Sequence, residues 1–169
     1  VIEFSMLIRD SAYNKANRSL SELIDTIHDL ELDKEKTEFR DLLKKITVPA
    51  EIDFMRVSSY SGTESSGTVR ILLDVDHGKL KDCDVLVVED IIDSGRTLSY
   101  LVEYLKLKGA HSVKTCTLLD KPSRREVEFV PDYVGTVVPN EFVVGFGLDY
   151  NEKYRNLPFV GVLKPEIYM

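Results

Sequence analysis

The stretch Asp84-Val-Leu-Val-Val-Glu-Asp-Ile-Ile-Asp-Ser-Gly-Arg-Thr97 decides the fold. Its apolar part is short enough for a strand and continuous enough to be buried on both faces. It closes in acids, Glu89, Asp90 and Asp93. Ser94, Gly95, Arg96 and Thr97 then turn the chain into a helix whose Leu98, Leu101, Val102 and Leu105 form one apolar stripe, ended by Gly109. A strand that feeds a helix through a glycine-bearing loop is the opening half of a βαβ unit.

Working outward, Val113 to Leu119 and Tyr133 to Val138 read as further strands, with a short apolar segment from Phe142 to Gly145 after Pro139 and Asn140. Upstream, Ile52, Phe54, Met55 and Val57 mark a strand between Glu51 and Tyr60. The Ser-Gly-Thr-Glu-Ser-Ser-Gly stretch after Tyr60 reads as a loop able to act as a lid, and Val69 to Val75 as the returning strand. Ser19 and Glu22 form a capping box, and Leu20, Leu23, Ile24 and Ile27 fall at helical spacing, which predicts a helix. A second helical pattern after Asp33 carries Phe39, Leu42, Leu43 and Ile46 and stops before Pro49. Val1 to Ile8 reads as a strand. Alternating strands and helices predict an α/β domain with a mostly parallel sheet flanked by helices.

The chain has 169 residues, 43% apolar and 30% charged, the composition of one globular domain. Lys plus Arg number 22 against 29 for Asp plus Glu, so the net charge of -7 opposes nucleic acid or an anionic membrane as the main partner. A small anionic substrate remains compatible, because a divalent cation can reverse the potential inside one cleft. The only cysteines, Cys83 and Cys116, form no CxxC pair, which points to a reducing compartment and away from a structural zinc site. The opening residues lack the basic flank of a secretory signal, and no apolar run approaches the roughly 20 residues of a membrane span. A cytoplasmic protein is expected.

Ligands of open α/β sheets bind beyond the carboxyl ends of the strands. Glu89, Asp90 and Asp93 stand at such an end. Any one acid there is explained as a cap of the next helix. Three of them in one otherwise apolar run repel each other unless a cation or ligand hydroxyls compensate, so the cluster predicts a ligand. The Asp93-Ser-Gly-Arg-Thr97 loop offers backbone N–H groups at a helix start, which suits a phosphate. It lacks the Gly-x-x-x-x-Gly-Lys pattern of nucleoside triphosphatases.

Val87 to Thr97 resembles the phosphoribosyl-diphosphate motif of the type I phosphoribosyltransferases, and specifically their 6-oxopurine branch, the hypoxanthine-guanine phosphoribosyltransferases. The same branch is echoed, in order, by Val57-Ser-Ser-Tyr60, Leu118-Leu-Asp-Lys-Pro122, Phe142-Val-Val-Gly145, Gly147-Leu-Asp-Tyr150 and Tyr154-Arg-Asn-Leu157. The resemblance implies a type I phosphoribosyltransferase fold with a small hood over its sheet. It further implies purine salvage: transfer of the phosphoribosyl group from phosphoribosyl diphosphate to hypoxanthine or guanine, giving IMP or GMP and pyrophosphate. Glu89 and Asp90 would hold the ribose hydroxyls with magnesium, and Asp149 would help hold a second Mg2+. Asp93 would be the catalytic acid-base group at purine N7, and Ser94, Gly95, Arg96 and Thr97 would bind the 5-phosphate. Lys121 would donate to the exocyclic oxygen, Phe142 would stack on the base and Val143 would meet its edge through the backbone. Arg155 would touch pyrophosphate, with Ser59 and Tyr60 closing over the reacting centre. Self-association as a dimer or tetramer is implied as well.

Each of these positions has a plainer explanation from residue type alone. Phe142 in an apolar run is ordinarily core, Lys121 beside Pro122 a solvated loop end, and Arg155 a surface charge worth little. His28, His77 and His111 lack ligand spacing and read as structural or exposed. The chain also departs from the family pattern. The resemblance runs from about Pro49 to the end and leaves 1–48 as an atypical strand and helical segment ahead of a 49–169 phosphoribosyltransferase-like domain, the two expected to form one folded unit. Family members carry, before the point matching Pro49, a strand ending in a Leu-Lys-Gly loop that binds pyrophosphate. Here Val1 to Ile8 could supply the strand, but Arg9-Asp-Ser-Ala12 offers a different loop. That difference keeps open a second reading, a catalytically impaired relative that binds nucleotides in a regulatory role.

Overall fold

In a computed structural model, which describes residues 2–10, 42–44, 46, 49–59 and 69–168, the deciding stretch is a central strand followed by a helix. Strand β4 (Asp84–Ile92) is buried from Val85 to Glu89. Helix α1 (Arg96–Leu107) buries Leu98, Leu101 and Leu105. Their i, i+3 and i+7 spacing puts them on one helix face, as the apolar stripe required. Gly109 at φ +99 ends the helix. Its N–H bonds Lys106 O and the Ala110 N–H reaches Leu105 O, a pairing that satisfies the last carbonyls and needs a left-handed residue there.

After α1 the chain returns as β5 (Ser112–Asp120), parallel to β4, and β6 (Tyr133–Val137) lies parallel beyond it. On the other side stand β2 (Ala50–Ser59) and β3 (Val69–Leu73), an antiparallel pair. The expected strands are thus present within a residue or two of their sequence bounds, apart from the early end of β3.

Between β2 and β4 lies β1 (Ile2–Asp10), completing a six-stranded sheet of order β3-β2-β1-β4-β5-β6. The amino-terminal residues therefore do fill the place that would otherwise leave the backbone groups of β2 and β4 without partners. They run antiparallel to both neighbours: Ile2 pairs with Ser58, and Asp10 pairs with Ala50 on one side and Asp84 on the other. β2, β4, β5 and β6 share one direction, and β1 and β3 oppose it.

The core lies on both faces of this sheet. Leu7, Met55, Val57, Val85 and Val87 pack with Leu98, Leu101 and Leu105 of α1. Ile8, Leu86 and Val88 face the opposite way and pack with Leu42, in a helical turn at residues 42–44 that belongs to the pattern expected after Asp33. Alternate residues of one strand thus serve two cores. The helix expected after Ser19 and the lid loop after Tyr60 lie outside the described residues. A small second sheet, β7 (Val143–Val144) with β8 (Gly161–Val162), is followed by a helical turn α2 (Pro165–Tyr168). This hood is joined to the main sheet through Leu119, Val143 and Leu148, with Ile91 packed against them. No described helix is long and apolar enough to cross a membrane.

Candidate active site

The site is built where β4 and β5 end under the hood. Glu89 is the last of the buried run in β4, and Asp90 follows it, half-buried. The Ile91 N–H donates to Asp90 Oδ1 at 2.7 Å. Burial pushes the Asp90 carboxyl above the usual carboxylate range. Its backbone hydrogen bonds and the Arg155 guanidinium act against that rise, and the Asp149 carboxylate adds to it. The hood loop carrying Asp149 and Arg155 thus lies within electrostatic reach of the tip of β4. Within that loop Arg155 Nη2 pairs with Asp149 Oδ1 at 2.7 Å, and Arg155 Nη1 donates to Gly147 O. Arg155, though its side chain is more than half exposed, is thus tied to Asp149 and to the backbone of its own loop.

Asp93 begins the turn into α1. Arg124 Nε stands 3.1 Å from Asp93 Oδ1 without the alignment of a hydrogen bond. The buried oxygen thus has an ionic neighbour and unused acceptor capacity among the described residues. Gly95 caps α1 at φ +80, a conformation that disfavours any side chain, and a Cβ there would stand 2.7 Å from Arg125 Cδ. The cap contributes no side-chain acceptor, and Ser94 Oγ accepts the Arg96 N–H at 3.4 Å. A helix start with N–H groups left to an incoming anion is the arrangement that binds phosphate.

Lys121 is nearly buried, contrary to a solvated loop end, and its N–H donates to Ile92 O at 3.0 Å, tying the end of β5 to that of β4. Burial lowers the Lys121 ammonium, the Asp93 carboxylate raises it, and Arg124 lowers it further. Phe142 is 37% exposed, so it is not core. Its ring meets Tyr150 edge-on at 5.4 Å and Tyr168 at 5.2 Å. The Val143 side chain is spent in the hood core, which leaves its backbone for contact with a ligand. Ser59 is the last residue of β2, on the strand two places from Val57, and Tyr60 lies outside the described residues.

Of the sequence-predicted residues, Asp90, Asp149 and Arg155 are brought together, as are Asp93 and Lys121. The segment after β1 lies outside the described residues. Because β1 is reversed, Arg9 sits by the start of β4, where Nη1 donates to Lys79 O and Nη2 pairs with Glu51 and Asp53. The end of β1, Arg9 and Asp10, thus pairs with the start of β4 and not with its tip. Sequence reasoning also passed over Arg124 and Arg125. The signal was two adjacent arginines just past Lys121-Pro122, which by composition look like any solvated loop.

No three His, Cys, Asp or Glu side chains among the described residues cluster as a metal site. Magnesium does not require such a cage. It is typically held by one or two carboxylates with substrate oxygens and water completing its shell. The half-buried Asp90 carboxyl, with Asp149 in electrostatic reach, is a donor pair whose repulsion a divalent cation would relieve, so the residues fit the ion.

Residues 37–151 match the family described as phosphoribosyl transferase domain. The chain belongs to that family. Over 129 residues it is 63% identical to the hypoxanthine-guanine phosphoribosyltransferase of Lactococcus lactis, covering 76% of this chain and 69% of that protein. It is 64% identical over the same length to the bifunctional protein TilS/HprT of Listeria monocytogenes, of which it spans 20%. A hypoxanthine phosphoribosyltransferase structure from Staphylococcus aureus shares 38% identity at a TM-score of 0.72, covering 89% of this chain and 91% of that one. The hypoxanthine phosphoribosyltransferase of Trypanosoma cruzi, solved as a mutant in a ternary substrates complex, shares 36% identity at a TM-score of 0.71 over the same coverage. The type I phosphoribosyltransferase fold and the 6-oxopurine branch expected from the motifs are borne out. The family match begins after β1 and ends before β8, so the reversed strand lies outside it, as do β8 and α2.

Proposed function

We propose that the chain is a purine-salvage enzyme of the cytoplasm that transfers the phosphoribosyl group from phosphoribosyl diphosphate to hypoxanthine or guanine. The single observation that carries this reading is the junction of Asp93, the Gly95 helix start and the buried Lys121 at the ends of two adjacent parallel strands. Glu89 and Asp90 hold the ribose hydroxyls. The N–H groups and hydroxyls of Ser94, Gly95, Arg96 and Thr97 receive the 5-phosphate. Lys121 donates to the 6-oxo group, Phe142 stacks on the base, and the Val143 backbone meets its edge. Arg155 contacts pyrophosphate, and Ser59 and Tyr60 cover the reacting carbon.

In the reaction the bond from the anomeric carbon to a pyrophosphate oxygen breaks and pyrophosphate keeps the electron pair. A bond from that carbon to the purine nitrogen forms, and the purine surrenders a proton. The unused lone pairs of Asp93 suit acceptance of that proton at N7. Positive charge that develops on the ribose is met by the acids at the tip of β4. Glu89, Asp90 and Asp149 would hold Mg2+, which supplies charge neutralisation on the pyrophosphate leaving group. We further propose that 1–48 and 49–169 fold as one unit and that the enzyme self-associates as a dimer or tetramer.

The purified chain is tested for IMP and GMP formation from each base with phosphoribosyl diphosphate and Mg2+, followed by ultraviolet absorbance. Asp93→Asn should lower turnover by about 10²- to 10⁴-fold while 5-phosphate binding survives. Nucleotide binding without turnover in the unmodified chain would replace this reading with a binding protein. Unchanged turnover in Asp93→Asn would remove Asp93 from its role.

A further inference from the structure

We infer that Arg125, a residue outside every substrate contact proposed above, is a positioning residue that fixes the phosphate-binding turn to the purine-binding turn. Its guanidinium is nearly enclosed, with the side chain 14% exposed, and each terminal nitrogen has a separate task. Nη1 donates to the main-chain carbonyl of Asp93 at 2.6 Å, the first residue of the turn into α1. Nη2 pairs with Asp120 Oδ1 at 2.5 Å, the last residue of β5 and the immediate neighbour of Lys121. One planar cation thus spans the ends of two strands, a geometry that suits a guanidinium and that an ammonium cannot reproduce at both points.

The stem of the same side chain explains the glycine. Arg125 Cδ lies only 2.7 Å from where a Cβ on residue 95 would stand, and Val127 Cγ2 follows at 3.3 Å. The neighbouring residue adds two more ties: the Glu126 N–H donates to Ser94 O at 2.9 Å, and Glu126 Oε2 accepts from Arg96 Nε at 2.6 Å. Residues 93–96 therefore rest on 125–126 along their whole length. The direction in which Asp93 and the first N–H groups of α1 point is set from below, by a segment that also begins with Lys121.

This inference rests on the enzymatic reading for its ligands, and it makes a claim of its own. A clamp between two half-sites favours a ligand that occupies both at once over one that occupies either alone, because the relative placement is fixed in advance. Binding of GMP, which spans the two turns, is compared with binding of ribose 5-phosphate, which reaches only one, in the unmodified protein and in Arg125→Gln, Arg125→Lys and Asp120→Asn. Affinity for GMP should fall about tenfold or more in Arg125→Gln, the scale of a lost charged hydrogen bond, while ribose 5-phosphate loses less. Arg125→Lys should fail to restore the GMP affinity. Arg125→Gln and Asp120→Asn should be non-additive when combined, since they remove one shared pair. kcat should fall with KM for phosphoribosyl diphosphate little changed.

A merely structural arginine would lower the melting temperature and weaken both ligands by the same factor, and that outcome overturns the proposal. So does a folded Arg125→Gln with unmodified GMP affinity. If the unmodified chain binds GMP yet forms none, the enzymatic reading fails while the clamp is still judged by the two ligands. If it turns over and the variants match it, the clamp alone fails.

Discussion

The two sides of the central strand β4 are built to different rules. Towards β5 and β6 the strands run parallel, joined through α1, and the site residues stand at their common end. Towards β1 the neighbour is reversed, falls outside the family match, and brings its carboxyl end to the opposite edge of the sheet. Both sides contribute to one core: Leu7 of β1 and Leu101 of α1 are each wholly enclosed, in one cluster. Burial alone therefore fills a sheet. Which functional groups reach the ligand depends on strand direction.

The largest effect expected from breaking this comparison is on stability. If β1 is an integral part of the core, Leu7→Ala and Leu101→Ala should each cost about 2–5 kcal/mol, read from urea unfolding. A Leu7→Ala cost of under about 1 kcal/mol would mean that the sheet stands without β1, and the comparison would collapse. Direction is sharpened by distance. Spin labels at Asp10 and Asp84 should report neighbouring strands, because these residues are paired. A strand running the other way would place residue 10 near the far end of β4, which at about 3.3 Å per residue is over 20 Å off.

The same contrast explains what could be read in advance. The acids of β4, the glycine of the turn and the stripe of α1 are local features, each tied to the next by fixed spacing, so Glu89 to Thr97 are legible together. The apolar character of Val1 to Ile8 marks a strand, but a period of two reads alike in both directions. Only the connection can set direction, and residues 11–49 are long enough for a crossover or for a return. Lys121 and Arg125 show a second limit. Their composition is that of a solvated loop, and only the packing of 121–126 beneath 93–96 removes them from water.

A smaller effect tests the local side of the comparison at Gly95. Alanine there meets a left-handed backbone, whose strain costs on the order of 1–3 kcal/mol, and the stem of Arg125. Gly95→Ala should lower the melting temperature and weaken ribose 5-phosphate binding. Adding Arg125→Ala clears the space but leaves the backbone strained and the Asp120 carboxylate without its partner, so it should restore neither the stability nor the GMP affinity. Full stability in Gly95→Ala alone would show that the turn is not held as described.

The smallest effect separates what the site does from what the fold needs. Asp90 and Lys121 are displaced by burial in opposite directions, the carboxyl upwards and the ammonium downwards, so each is a charge that the folded protein holds against its preference. Because the Asp90 carboxyl is raised in the folded state, its contribution to stability is full below the ordinary carboxylate range and is lost as pH rises through its raised value. Asp90→Asn keeps an oxygen for the Ile91 N–H and removes the charge. In metal-free buffer near neutral pH it should therefore melt higher than the unmodified chain, by roughly 2–4 °C for each 1 kcal/mol relieved. The gap should close as the buffer is made acidic, and ribose 5-phosphate binding should weaken throughout. A variant that melts lower at neutral pH would mean that the Arg155 guanidinium outweighs burial at Asp90, making this carboxylate a support of the fold and not a charge kept for a ligand.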